Sequence, residues 1–395
     1  MTKLNYLLLA VGVMLGLSSC GSDEESVEPE TSFTRIYDDP EFSSEYDPLD
    51  ILPMNDGGYL MLAATEAWNP YLVKTDEDGQ VVWHSSVDAA YVNPLAELLV
   101  VNDSVYLVCM NEVTLATEIL KVDLSGGNAK PAATIEAIQY PLGISQTPDG
   151  SLLILGYNRE SRSSTLHKLS ASFATEWSAE YPVEEDVEED IIDHLGRTGR
   201  QLPFFTGATA DGSTYYFNGF SNYTLSMNFV NPGSGELAGT LNGFRQEGYV
   251  SAAHHLTGGQ FALARRTFQV STLLPSAEID LMAIANSGDL VANDFPEIAH
   301  EARVIVKTIE LLGRPTIVYG AHTKTQQLVF YFYDQEAGSL LATYHLGMTD
   351  PYQLGDFAFT EDGGLVVLAE TFLIGRFSRL CLFKLSPKEL HQILE

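Results

Sequence analysis

Side chains able to do chemistry are abundant in this chain, but few fall into a pattern that a reaction needs. With 53 Asp and Glu against 21 Lys and Arg, paired carboxylates, the acid and base of glycoside cleavage, can be drawn in many places. Glu66, Glu112, Glu247 and Glu370 are such candidates. Residues 184–193 hold seven carboxylates in ten positions, oxygens that Ca²⁺ could gather. The run lacks the alternating Asp residues and glycine of a calcium loop, and a solvated acidic loop is the simpler expectation. His254 and His255 are adjacent on an expected strand, point to opposite faces and cannot share one metal. The sequence has no Gly-x-Ser-x-Gly, His-x-x-x-His or Cys-x-x-Cys and no phosphate-cradling glycine loop. No cofactor or metal is called for.

The elements that would position any site repeat. One unit runs from Leu49 to Val87: the run Leu49-Asp50-Ile51-Leu52, the turn Asn55-Asp56-Gly57-Gly58, a strand from Tyr59, another from Tyr71 to Asp76, and Val81-Val82-Trp83. Its turn recurs as Asn102-Asp103, Asp149-Gly150, Asp211-Gly212, Gly258-Gly259, Gly313-Arg314 and Asp362-Gly363. From Asp56 the steps are 46, 47, 62, 47, 55 and 49 residues, close to the roughly 40–50 of a propeller blade. Asp-Gly and Gly-Gly suit tight hairpins, whose central residues take positive φ. The expected fold is all-β: a seven-bladed β-propeller of four-stranded blades over residues 31–386.

Third strands are expected at Tyr71–Asp76, Glu118–Asp123, Thr165–Ser170, Leu225–Val230, Ile279–Ile284, Leu328–Tyr333 and Leu380–Leu385. Fourth strands follow in six blades, the fifth blade's at Asp289–Phe295. The seventh blade lacks one, because Ser386-Pro387 opens a short helical tail over 387–395. The stretch from Ser32 to Asp38 supplies the missing strand and closes the ring without a free edge.

The first 19 residues carry Lys3 and an apolar run from Leu7 to Leu17, an export signal too short to span a bilayer. Leu17-Ser18-Ser19-Cys20 resembles the bacterial lipobox, which implies a lipid such as palmitate on Cys20 and a mature chain starting there. The acidic residues 20–30 behind it resemble the export tag of Bacteroidetes surface lipoproteins, which implies an outer-membrane protein facing the exterior. On composition alone they are a solvated acidic tether. The net charge of -32 argues against nucleic acid as a partner. Cys109 and Cys381 are expected as buried free thiols.

A ligand site is expected on the face where each outer strand passes to the next inner strand and second strands pass to third ones. The first set of loops carries Tyr46, Tyr91, Tyr140, Tyr249 and Tyr352, beside Pro48, Pro94, Pro141 and Pro351. These tyrosines either brace the blade crossings or form an aromatic rim able to stack on a sugar or grip a peptide. The second set adds Trp68, Asn69, Asn111, Glu112, Arg159, Arg162, Asn222, Arg265, Arg266, His322, Lys324 and Arg376. Its cations could answer the acidic insertion or an anionic ligand group.

The run Asp56-Gly57-Gly58-Tyr59-Leu60, followed by Lys74-Thr75-Asp76-Glu77-Asp78-Gly79-Gln80-Val81-Val82-Trp83, resembles the repeats of quinoprotein-like and related exported WD40-like propellers. It is sharpest in the first, third and last blades. Only Trp83 and Trp177 hold the family's tryptophan position, so a bound quinone is not implied. The expected function is a non-catalytic module for a neutral glycan, a peptide or a membrane-protein partner, beside a nutrient-uptake system. The alternative is a polysaccharide hydrolase or lyase with paired carboxylates in the mouth.

Overall fold

Each expected hairpin mark turns the chain. In the computed structural model, Gly57, Asn102, Asp103, Gly150, Gly212, Gly258, Gly313 and Gly363 all have φ between 50° and 81°, the left-handed region that short hairpins require. The sixth mark sits one residue earlier than expected, on Leu312 (φ 52°) and Gly313 (φ 71°). The structure describes residues 32–37, 44–198, 201–221, 224–244, 248–267, 270–291, 293–348, 350–372 and 378–395. The expected signal peptide, Cys20 and the acidic tether lie outside them, as do Asp38, Arg200, Asn222, Glu247 and Arg376.

The strands form seven sheets, and the fold is a seven-bladed β-propeller. Blade 1 is antiparallel in the order Tyr46–Pro53, Tyr59–Thr65, Pro70–Thr75, Val81–Ser86. Blade 7 combines Tyr352–Phe359, Leu365–Phe372 and Ser378–Leu385 with the N-terminal strand Phe33–Tyr37. The register of that closing pair runs from Phe33 opposite Lys384 to Tyr37 opposite Leu380. The ring is therefore shut by the strand expected to shut it. The tail is the helix Pro387–Leu394, named α2 below, capped by Ser386 Oγ accepting from the Glu389 N–H at 3.3 Å. Glu389 in turn accepts from the hydroxyls of Ser32 (2.5 Å) and Tyr344 (3.0 Å), joining the first described residue to the last element.

Middle strands lie between neighbouring blades and are buried on both faces. All eight residues of Ser378–Leu385 are buried. Outer strands alternate, as in Val81–Ser86, because one face meets water. The core is thus a set of clusters, one between each pair of blades, such as Leu153, Leu166, Tyr181, Tyr215 and Phe217 between blades 3 and 4. Fully burying one such side chain is worth roughly 1.5–3 kcal/mol. Cys109 and Cys381 are buried free thiols within this packing.

Two devices recur. In blades 1, 3 and 7 the turn aspartate binds a buried third-strand lysine: Asp56 with Lys74 at 2.6 Å, Asp149 with Lys168 at 3.0 Å and Asp362 with Lys384 at 2.8 Å. These hydrogen bonds help hold all three carboxyls below the usual carboxylate range. These are the blades where the repeat is sharpest in sequence. The second device docks an outer-strand ring on the next blade. Trp83 Nε1 donates to the Leu124 carbonyl at 2.9 Å and Trp177 Nε1 to that of Pro232 at 2.8 Å. A Cβ on Gly127 would come within 2.6 Å of the Trp83 ring, and one on Gly235 within 2.7 Å of Trp177. Phe33 meets Gly79 in the same way across the closing seam.

Two expectations are corrected. The third strand of blade 5 is Val270–Glu278, not Ile279–Ile284. Pro275 lies within it and would break a regular ladder, but the register slips between Phe261 and Leu263 on the partner strand, and a bulge tolerates proline. Residues Ile284–Asn286 instead add a fifth strand to blade 4, parallel to Leu237–Asn242. That leaves Asn293–Phe295 as a short outer strand for blade 5. The acidic insertion, in turn, is no loop throughout: it contains the helix Glu188–Leu195, named α1. Val187, Ile191 and Leu195 fall on one face and are buried, and Glu188, Glu189 and Asp190 sit at the positive N-terminal end of the helix.

Candidate functional site

The crossings from one blade to the next take most of the tyrosines out of solvent. Tyr46, Tyr140, Tyr249 and Tyr352 are buried. Tyr46 packs on Tyr71 with centroids 4.6 Å apart, Tyr352 on Phe383 at 5.2 Å, and the Tyr249 hydroxyl accepts from Arg266 Nη1 at 3.3 Å. Tyr91 is half-buried, and its carbonyl accepts from Asn69 Nδ2 at 2.9 Å. The tyrosines in these positions brace the ring, leaving Trp68, 40% exposed, as the aromatic side chain of the set most open to a partner.

Cations of the second set are largely engaged. Arg159 pairs with Glu188 at 2.8 Å and Arg162 with Asp186 at 3.9 Å, so they answer the acidic insertion. Arg265 donates to the carbonyls of Ser287 and Leu290, and Arg266 to that of Ala302 at 2.8 Å. His322 is half-buried, and burial pushes its imidazole down to about 4. Among the described residues no group of three or more His, Cys, Asp and Glu is arranged to hold a metal ion.

The insertion between blades 3 and 4 reaches the opposite side of the ring. Arg197, just beyond α1, donates to Asp47 of blade 1 at 2.6 Å and to Asn93 of blade 2 at 3.4 Å. Arg303, on the crossing into blade 6, donates to the carbonyls of Leu49 at 3.0 Å and Gly355 at 2.9 Å. His194 of α1 accepts the Leu202 N–H at 3.1 Å and meets Phe204 edge-on at 4.9 Å. Burial pushes its imidazole down to about 3, so it is neutral at physiological pH.

Below these contacts the inner strands carry a polar crescent. The inner strands of blades 1 and 7 each bulge by one residue, at Leu49 and Gly355, and each places an aspartate directly after the bulge. The two strands pack closely here, since a Cβ on Gly355 would lie 2.6 Å from Pro48 Cβ. Asp50 accepts the backbone N–H of Ile51 at 2.9 Å and of Leu98, in blade 2, at 2.5 Å. It lies beside Asp356, and burial together with the Asp356 and Glu97 charges raises its carboxyl well above the usual range. Asp356 accepts from Lys307 of blade 6 at 2.9 Å and 3.0 Å.

Glu97 of blade 2 and His254 of blade 5 flank this group. Glu97 lies deep in the ring yet meets water in the bore, and burial pushes it up to about 7. His254 shares a hydrogen bond with Thr308 at 3.1 Å. His255 points the other way, accepting the Ala210 N–H at 3.0 Å, so the two rings diverge as the strand alternation requires. Lys307 thus holds Asp356 and Leu98 holds Asp50, and the two aspartates lie side by side across the seam where the chain's two ends meet.

Sequence reasoning placed its carboxylate candidates on the loops and missed Asp50, Glu97 and Asp356. A signal was present: an aspartate directly after the bulge of the inner strand, at the same repeat position in blades 1 and 7.

No family model and no curated protein matches the chain. Solved structures do. S. cerevisiae core factor aligns with a TM-score of 0.52 at 8% identity over 90% of this chain and 61% of that one. Kuenenia stuttgartiensis hydrazine synthase gives 0.50 at 11% identity over 82% and 92%. The β-propeller domain of the Trilobed protease from Pyrococcus furiosus gives 0.48 at 12% over 88% and 96%. At such identities the likeness concerns the fold and goes no further.

Proposed function

We propose that the protein is a lipid-anchored propeller on the outer face of the outer membrane, acting there as a non-catalytic binding or assembly module for a neutral glycan, a peptide or a membrane-protein partner beside a nutrient-uptake system. A propeller suits binding or assembly in general, and one observation carries the choice of a non-catalytic role. The bore carboxyls of Asp50 and Asp356 are engaged by Lys307 and by backbone N–H groups. A glycosidase holds its two carboxyls about 5–9.5 Å apart with a sugar between them.

The anchor reading rests on the Cys20 motif and on where the chain enters the ring. Phe33 contacts Gly79, in the turn between the third and fourth strands of blade 1, so the chain enters at the hairpin face. Eleven residues separate Cys20 from Ser32, a reach of at most about 40 Å.

Two measurements test the proposal. Fatty-acid labelling should be lost in Cys20→Ser, and protease added to intact cells should digest the wild-type chain. A soluble chain beginning at Ser32 should bind on a glycan or peptide array without releasing product. Product release from a bound polysaccharide would replace this reading with the hydrolase or lyase.

A further inference from the structure

Blade 4 ends in a strand it borrows from blade 5. After Glu278 the chain crosses over and lays Ile284–Asn286 parallel to Leu237–Asn242, with Thr240 opposite Ile284 and Asn242 opposite Asn286. The borrowed strand is the outermost of its sheet, and Arg265 fastens the turn behind it through the Ser287 and Leu290 carbonyls. The Thr240 N–H donates to the Ala283 carbonyl at 3.0 Å. In a parallel ladder alternate residues face the partner, so the N–H and C=O of Ile284 point outward from the blade.

The side chains around this edge are apolar and open. Met282 is 72% exposed, Ile284 79% and Val291 98%, with Leu237 at 47% on the neighbouring strand. The exposed charges around them are acidic, namely Glu236, Glu278, Asp280, Asp289 and Asp294; residues 279–291 contain no Lys or Arg, and the neighbouring Arg265 is taken up by the Ser287 and Leu290 carbonyls. Proteins commonly guard a free edge with charge against pairing with their own kind. Here the guards are all acidic, so a second copy would bring acid against acid, while a cationic strand would find complementary charge.

We propose that Ile284–Asn286 is a docking edge for an extended, basic segment of a partner protein, one that alternates apolar residues with Lys or Arg and adds a sixth strand to blade 4. Backbone hydrogen bonds give such pairing its affinity, and the flanking side chains select the partner. The edge lies apart from the bore and the tyrosine crossings, so its failure leaves the function proposed above standing.

The probe is a fluorescein-labelled heptapeptide of alternating Lys and Val, titrated with the whole chain and followed by anisotropy. Ile284→Pro removes the outward N–H while sparing the Ala283 carbonyl that Thr240 uses, and the double variant Asp280→Lys/Asp289→Lys reverses the guards. Both should weaken binding about tenfold or more, with the thermal transition of each variant recorded to show that the ring is intact. A Glu–Val peptide should not bind. Absence of binding, equal binding by the proline variant, equal binding of the Glu–Val peptide, or concentration-dependent dimerisation abolished by Ile284→Pro would each overturn the proposal. The last outcome would assign the edge to a second copy.

Discussion

Blades 7 and 1 and blades 4 and 5 solve the same packing problem with different regularity. In the first pair each inner strand bulges at the same place, each turn aspartate is clipped to a lysine and the hairpins carry Asp-Gly. In the second pair no lysine among the described residues answers Asp211, the outer strand of blade 5 shrinks to three residues and a strand passes between sheets. The regular region closes the ring, where any slip of register would separate the two ends of the chain. The irregular region has a continuous chain on both sides and can afford an exposed edge.

The largest test of that contrast is removal of the closing strand. Deleting residues 31–38 strips blade 7 of its outer strand and of Phe33 and Tyr37, which pack with the blade 7 to blade 1 cluster. The melting temperature should fall by about 10 °C or more, measured by circular dichroism. Deleting the borrowed strand Ile284–Asn286 should cost far less. Equal losses would break the comparison.

Next in size is the clip. Asp362→Ala leaves the buried Lys384 ammonium with, among the described residues, the Thr360 hydroxyl at 2.5 Å, a loss of about 1–3 kcal/mol in urea unfolding. Asp211→Ala in blade 4, where no lysine depends on the carboxylate, should barely move the transition.

Two smaller effects have opposite signs in pH. The folded carboxyl of Glu97 is raised to about 7 from an ordinary 4.5, so the folded chain holds the extra proton. That contribution is complete below pH 4.5 and is lost as pH rises to 7. Because the group touches water, the loss is about 1 kcal/mol, and Glu97→Gln should remove it. His167 is buried with neither ring nitrogen hydrogen-bonded among the described residues, and burial pushes it down to about 4. Its contribution is lost as pH falls from 6.5 towards 4. His167→Leu should stabilise the chain by about 1 kcal/mol, with the gain growing on acidification.

The same contrast explains what could be read from the sequence. Hairpin spacing is written in glycine and aspartate, which positive φ selects, so blade number, closure and the Pro387 helix were legible. Blade 5 was misread because Pro275 concealed a strand that only a bulge makes possible. The helix in the acidic insertion was hidden by charge, although Val187, Ile191 and Leu195 are spaced as a buried helical face. The bore cluster was not legible as a site because its members are about 47 and 306 residues apart in the chain, Asp50 to Glu97 and Asp50 to Asp356, and only ring closure brings Asp356 to the other two.

Closure can be read covalently. Ile36 is the direct partner of Cys381 across the seam, and directly paired antiparallel residues lie within disulfide reach. In a chain carrying Ile36→Cys and Cys20→Ser, mild oxidation should join Cys381 to the introduced thiol, as read by peptide mapping, and should raise the melting temperature. A chain in which the introduced thiol stays freely alkylatable while Cys381 stays buried would contradict the closed ring.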